Sequence, residues 1–356
     1  MGLNSRLSSL LLAISIAPLA PISAQAPSSA ADQMTIHVTV STRSGDPVQG
    51  LTKDDFTLLD NKHPEPITNF QAITGAHASI VIVLDAVNLP YSQVSYARQQ
   101  LANFFSANGG HLAQPTTLAI LEDKGLQIQP SFTTDGNALR ASLDQYSISL
   151  RELTRAAGFY GAAERLQISL QNFQLLIEHL PKEGAKRLIW ISPGWPLLSG
   201  PQVELAPSQL GPLFNQVVAI NTELRESHTI VDAVNPIGAA EDVGRVSYYE
   251  NFLHAPRKPS DIDLGDLGLQ VIAQQSGGLV LNGSNDIAGL IQHAVVSSQD
   301  SYELTFVAAP GEHNNEYHEL QVKVRRPGVT VHTTAGYYAR PTFAPLPQPV
   351  PEPGLR

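Results

Sequence analysis

The chemistry open to this chain depends on where its carboxylates stand. In SIVIVLDAVNLPYSQ, residues 79–93, the apolar residues Ile80 to Leu84 carry Asp85 to the end of a run that reads as a buried strand. A carboxylate in that place can help hold a divalent cation, serve as the base of a hydrolase with Ser192 or a histidine, or accept hydrogen bonds from the loop or helix that follows. A hard cation such as Mg²⁺ wants about six oxygens in a tight octahedron. The residues after Asp85 are Ala86, Val87, Asn88, Leu89 and Pro90, and only Asn88 carries a side-chain oxygen. The amide-accepting role is therefore the favoured one, since a helix N-terminus or turn welcomes a carboxylate.

Other candidate groups read as structural. DIDLGD, residues 261–266, brings together Asp261, Asp263 and Asp266, but no glutamate closes a calcium loop there, and capping before LGLQVIAQQ explains the acids better. DDF at 54–56 and DNKHPEP at 60–66 read as turn chemistry. The eleven histidines are scattered, and His313 and His318, in GEHNNEYH, suggest a solvent-exposed hairpin and not a zinc site. The chain lacks a G-x-S-x-G elbow, a phosphate-cradling G-x-x-x-x-G-K-[ST], a G-x-G-x-x-G and an H-E-x-x-H. No catalytic residue is assigned. In QSGGLVLNG the pair Gly277-Gly278 ends a helix, which is the wrong polarity for a phosphate cradle.

The elements that must position Asp85 are of two kinds. IVIVL at 80–84, LAIL at 118–121, LIWI at 188–191 and TIVDAV at 229–234 are continuous apolar runs, as expected of parallel strands covered on both faces. Between them AAERLQISLQNFQLLIEHL, 162–180, places Leu166, Leu170, Phe173, Ile177 and Leu180 on one helical stripe. Further helices are expected near 92–106, 135–146, 204–226, 266–276 and 286–298, with Thr134 or Asp135 capping the second of these and Gly277-Gly278 closing the fifth of the chain's expected set. Alternating strands and helices predict a doubly wound, mainly parallel α/β domain over 78–298.

The flanks follow a different period. Ile36, Val38 and Val40 alternate with polar residues, as do Tyr302, Leu304 and Phe306, and Leu320, Val322 and Val324. Period two means one wet and one buried face, the mark of antiparallel sheets. Neither flank has enough strands to bury a face alone, so 34–73 and 300–340 are expected to pair into one small antiparallel β-sandwich with the α/β domain inserted in it. The proline-rich stretch 341–356 reads as a disordered tail.

Composition narrows the partners. The chain has 356 residues, 42% hydrophobic and 15% charged, with a formal charge of −10 and no cysteine. Nucleic acid and anionic lipid need a concentrated positive surface, which Arg325 and Arg326 alone do not make. Arg6, the apolar LSSLLLAISIAPLA and the small residues of PISAQA read as an export signal over 1–24, with cleavage after Ala24 or Ala26. No other segment approaches about 20 consecutive apolar residues, so no membrane span is expected in the mature chain. The location expected is periplasmic or extracellular.

Taken in order, GDPVQGLTKDDFTLLDNKHPEPITNF, the strand ending in Asp85, KRLIWISPGWP, GLQVIAQQSGGLVLNGSNDIAGLI and ELQVKVRRPGVTVHTTAGYYA resemble the von Willebrand factor A-related domain of acidobacterial type, over about 34–340. The resemblance implies a von Willebrand A-like, Rossmann-like fold in a secreted or envelope protein. It also implies where a metal-ion-dependent adhesion site would stand: a D-x-S-x-S motif after the first strand, a Thr from a later loop and an Asp after the fourth strand. Here Asp85 keeps the first position, but Val87 and Leu89 replace the serines and Pro193-Gly194 replaces Asp-Gly. Asn88, Ser192 and Thr154 remain as neutral helpers. That set makes a degenerate site, so no cofactor is expected, with Mg²⁺, Mn²⁺ or Ca²⁺ at Asp85, Asn88 and Ser192 as the residual alternative.

The replacements suggest a second use of the same face. Leu89 and Tyr91 follow the first strand; Trp195, Leu197 and Leu198 follow the fourth. They are expected either to form an apolar and aromatic contact surface or to pack on each other and under the 236–263 insertion with Tyr248, Tyr249 and Phe252. The function expected is a secreted, non-enzymatic, adhesion- or scaffold-like interaction module. Its loops 86–92, 193–203 and 236–263 would meet an envelope or extracellular protein or glycan. The alternatives are a divalent-cation-dependent binding protein or hydrolase using Asp85, and a structural subunit of an envelope assembly.

Overall fold

A computed structural model of the chain describes residues 33–75, 77–145, 158–198, 205–237 and 247–341. The expected export signal over 1–24, Thr154 and the expected tail beyond 341 lie outside the described residues, as do parts of the loops 193–203 and 236–263.

Along the chain the strands are β1 (Gln33–Thr42), β2 (Phe56–Asp60), β3 (His63–Glu65), β4 (Asn69–Ile73), β5 (Ser79–Asp85), β6 (His111–Glu122), β7 (Gly125–Ile128), β8 (Thr133–Asp135), β9 (Lys186–Ile191), β10 (Thr229–Val234), β11 (Val280–Leu281), β12 (Ser301–Val307), β13 (Glu316–Val324), β14 (Val329–Thr333) and β15 (Gly336–Ala339). The helices are α1 (Tyr91–Ser106), α2 (Gly136–Gln145), α3 (Phe159–His179), α4 (Pro207–Glu226), α5 (Leu269–Ser276) and α6 (Ile287–Ser297).

The central sheet runs β11-β10-β9-β5-β6-β7, with β8 also paired to β6. Its β11, β10, β9, β5 and β6 are parallel neighbours, while β7 and β8 join β6 antiparallel. From β5 the order steps out to β6 and β7, then returns to the other side of β5 through β9, β10 and β11. That reversal makes the crevice between β5 and β9, beyond their carboxyl ends, the topological switch point where open α/β sheets bind ligands.

Each strand of the sheet divides its side chains between two cores, which is why the sequence runs are apolar throughout. Ile80, Ile82 and Leu84 of β5 pack with α1, α2 and α6. Val81 and Val83 face the opposite way, with Trp190, α3, α4 and α5. The expected stripe of α3, Leu166 to Leu180, lies wholly in this second core. Asp135 caps α2 by accepting from Asn137 N at 2.9 Å and Ala138 N at 3.2 Å. Gly277, at φ 89°, closes α5 in the left-handed conformation that favours glycine.

The flanking strands form two four-stranded sheets, β14-β1-β12-β4 and β15-β13-β2-β3, each drawing strands from both chain ends. Ile36, Val38, Leu304 and Phe306 from one sheet meet Leu58, Leu320 and Val322 from the other. This is the architecture expected: a von Willebrand A-like, doubly wound sheet set into an antiparallel sandwich. The sandwich is fixed to the inserted unit by Phe214 of α4, which packs with Tyr317 and Tyr338. Asn221 Nδ2 also donates to Gly336 O at 3.2 Å. No helix among the described residues is long and apolar enough to cross a membrane.

One expectation for the sandwich fails. His318 is not on an exposed hairpin: it is buried beside Asp60, Nδ1 to Oδ1 2.9 Å, and Tyr337 donates to the other Asp60 oxygen at 2.6 Å. The cause is register. Tyr317 and His318 sit inside β13, paired to β15 at Tyr338 and Tyr337, so the turn ends before His318.

Candidate functional site at the carboxyl edge of the central sheet

Asp85 ends β5 on the same face as Val83 and Trp190, and it is fully buried. Its Oδ1 accepts from Val87 N at 3.1 Å and Asn88 N at 3.0 Å; its Oδ2 accepts from Asn88 Nδ2 at 2.8 Å and Trp190 Nε1 at 3.1 Å. Burial pushes the carboxyl above its ordinary range, and the bonds from Asn88 and Trp190, with the Ser192 hydroxyl nearby, pull it back. Of the two structural roles open to Asp85, the loop-amide role is the one observed, because α1 starts only after Pro90, whose ring offers no side-chain cap.

This arrangement does not fit a cation. An ionised carboxylate has about four lone-pair sites, and four N–H donors of the protein occupy them. Val87 and Leu89, at the positions where the resemblance implies hydroxyl ligands, are plugs: Val87 enters the core under α3 and Leu89 the core under α1. Asn88 Nδ2 also donates to Ser169 Oγ of α3 at 2.8 Å, which ties the loop to that helix. Ser192 Oγ accepts from Gly194 N at 3.2 Å. Among the described residues no group of three or more His, Asp or Glu side chains is placed to hold a metal ion. In DIDLGD, Asp263 accepts from Gly265 N at 2.8 Å and Asp266 accepts from Asp263 N at 2.8 Å. They cap the short 3-10 turn Leu264–Leu267, while α5 starts from Gly268 with no side-chain cap, so the capping expected for that helix falls one turn early.

The apolar contact surface expected from Leu89, Tyr91, Trp195, Leu197 and Leu198 is not assembled, and three of its members must be corrected. Trp195 is only 2% exposed, and Leu89 and Leu198 are buried with it. Trp195 meets Trp190 edge-on at 5.4 Å and Phe173 at 5.3 Å, so the ring completes an aromatic cluster under α3. Large apolar rings leave water whenever a core is within reach, and the chain reversal at Gly194 puts this one there. Leu197 is half-buried, close against Gly268. Only Tyr91, 67% exposed at the start of α1, stands free in the way expected.

A cleft of about 580 Å³ lies over the same sheet edge, lined by residues the sequence singled out and by Asn235, Gln270 and Asn282, which it did not. Asn88, Asn235, Gln270 and Asn282 give it an amide-rich wall, and Tyr248 and Leu197 give it apolar surface. Gly194, at φ 111°, admits Gln270, whose amide would lie 2.2 Å from any Cβ there and which donates to Pro193 O at 3.0 Å. Three buried polar atoms of the lining residues have no hydrogen-bond partner: Asn88 Oδ1, Gln270 Oε1 and Trp195 Nε1. Among the described residues no carboxylate lines the cleft, whereas Arg165 does. Neutral donors and acceptors of this kind suit an uncharged polar ligand. No motif marks Gln270 or Asn282; their only sequence signal is an amide beside the glycine turns of the loops that converge here.

No family model matches the chain, and no curated protein matches it. Solved structures do match, at low identity. Proximal thread matrix protein 1 from the mussel byssus aligns at 14% identity and a TM-score of 0.37, over 67% of this chain and 51% of that one. The SpRpn10 VWA domain aligns at 11% identity and 0.30, over 62% of this chain and 97% of that one. Manganese-loaded Plasmodium vivax TRAP protein aligns at 10% identity and 0.31, over 78% and 97%. The chain thus spans about half the length of the mussel protein it matches.

Proposed function

We propose that this chain is an exported, non-enzymatic interaction module of the von Willebrand A-related kind. Its degenerate adhesion site would bind a protein or glycan of the cell envelope or exterior without a cation. The observation that carries the reading is the saturation of Asp85 by four protein donors beneath an amide-lined cleft. A site that has converted its carboxylate into a fastener for its own loop retains shape and neutral hydrogen-bonding groups, and those are the means of recognition. The export segment at 1–24 supports a periplasmic or extracellular location. Burial of Asp85 speaks against the hydrolase alternative, because a base must reach the proton it removes.

The test is capture of envelope proteins and arrayed glycans by the full chain, with and without EDTA, beside a variant whose cleft is filled by Asn282→Trp. Binding unchanged by EDTA and lost on filling the cleft is expected. Binding that needs a divalent cation, or a catalytic turnover that Asp85→Asn abolishes, would overturn the reading.

A further inference from the structure

At the opposite, amino-terminal edge of the sheet a second cavity, of about 230 Å³, lies between the sandwich and the α/β unit. From the sandwich it is lined by β1 and the turn after it, including Arg43, and by Thr330 and His332 of β14. From the α/β unit come Arg187 of β9 and His293 and Ser297 of α6. Two arginines, two histidines and several hydroxyls face one space, and among the described residues no carboxylate lines it. In a chain of net charge −10 that is a concentration of hydrogen-bond donors. The cavity exceeds many times the ~30 Å³ share of one water, so it has room for a polyatomic ion.

The donor groups are built in. Arg187 is 3% exposed and held by Asp232, with Nε to one carboxylate oxygen and Nη2 to the other at 2.7 Å. Asp232 is itself tied to Leu279 N at 2.7 Å. Two of the five guanidinium N–H groups go to Asp232, which fixes the plane and leaves the others for a ligand. His332, cross-strand from Thr39 on β1, is held below the ordinary histidine range by burial and by Arg187, with Asp232 opposing. The turn at Gly45, φ 91°, brings the backbone so close to His293 that a Cβ there would lie 2.8 Å from Nε2. Asp46, the nearest acid of that turn, is engaged by Ser44 Oγ at 2.6 Å.

We propose that this cavity is a binding site for a tetrahedral oxyanion of the phosphate class, free or as a small monoester, held by Arg43, Arg187, His332 and the surrounding hydroxyls. Such an ion offers several acceptor oxygens to donors arriving from both sides, as guanidinium and hydroxyl groups require. Because those donors belong to the sandwich on one side and to the inserted unit on the other, the bound anion clamps the two together. The clamp owes nothing to the cleft at the carboxyl edge.

The experiment is thermal unfolding and isothermal titration of the full chain with inorganic phosphate and with methyl phosphate, against chloride of equal ionic strength. A saturable rise in Tm with phosphate is expected, following the mass-action rule for a ligand of the folded state. Arg43→Gln and His332→Gln, which leave the Arg187–Asp232 pair intact, should each weaken phosphate by about tenfold, the loss of one charge-assisted hydrogen bond. A Tm rise that chloride reproduces, or phosphate affinity unchanged in both variants, would overturn the proposal.

Discussion

Trp190 Nε1 donates to Asp85 Oδ2 across 3.1 Å, from β9 to β5. Val83 is the residue directly opposite Trp190, so Asp85 is its diagonal neighbour on the same face. The indole N–H would otherwise be a buried donor without a partner, and the carboxylate a buried charge; each removes the other's penalty. The relationship makes Asp85 part of the core's polar framework. Asp85→Ala should therefore destabilise the chain by about 3–5 kcal/mol, because it strands several N–H donors at once. Asp85→Asn keeps one acceptor and should cost less. Chemical denaturation of the three proteins checks the order; a harmless Asp85→Ala would contradict it.

The aromatic cluster gives a second contrast. Trp195→Ala removes a ring packed on Trp190 and Phe173 and should cost about 3–5 kcal/mol. Tyr91→Ala, at an exposed helix start, should change stability by no more than about 0.5 kcal/mol. Melting curves that ranked the two variants the other way would place Trp195 at the surface.

Much of the fold was legible and much of the site was not, for reasons tied to particular residues. Strands such as β5 and β9 are buried on both faces, so their apolar runs announce a parallel sheet; Ile36, Val38 and Val40 announce the sandwich by alternation. The edge strands β7, β8 and β11, four residues or fewer, are too short to show a period. The position of Asp85 could be read because a charge closes an apolar run. Its partners could not, since Trp190 looks like one more core residue. Trp195, Leu89 and Leu198 could be read as surface or as core because they lie in loops; the structure takes the second, since loop residues fold back wherever a core is open to them. Arg187 and Asp232 left a signal that was passed over: a basic pair opening KRLIWI and a single acid inside TIVDAV, opposite in sign.

That pair supplies a third prediction. Replacing one partner leaves an uncompensated buried charge, so Arg187→Met or Asp232→Leu alone should cost about 3–5 kcal/mol. The double variant should recover a large part of the loss. Equal effects for the double and the worse single variant would mean that the two charges do not compensate each other in the fold.

Stability should also depend on pH through two opposed groups. Burial raises Asp266 from 3.8 to about 7, so the folded chain keeps a proton that the unfolded chain has lost. Its contribution is full below pH 3.8 and is lost as pH rises to about 7. Burial, with His228 and Lys186 nearby, lowers His37 from 6.5 to about 4, and that contribution is full above 6.5 and lost as pH falls to about 4. Asp266→Asn keeps the acceptor for Asp263 N and should gain on the order of 2 kcal/mol relative to the parent between acid and neutral pH. His37→Gln should shift the balance the opposite way. Denaturation midpoints across that range check both signs, and parallel profiles for parent and Asp266→Asn would contradict the first.

The central claim is that protein donors, not an ion, occupy Asp85. Calorimetric titration of Mn²⁺ into the metal-free full chain tests it most directly. The expected result is heat of dilution alone, identical in the parent and in Asp85→Asn. Saturation at one ion per chain, with a dissociation constant on the order of micromolar and lost in Asp85→Asn, would contradict it.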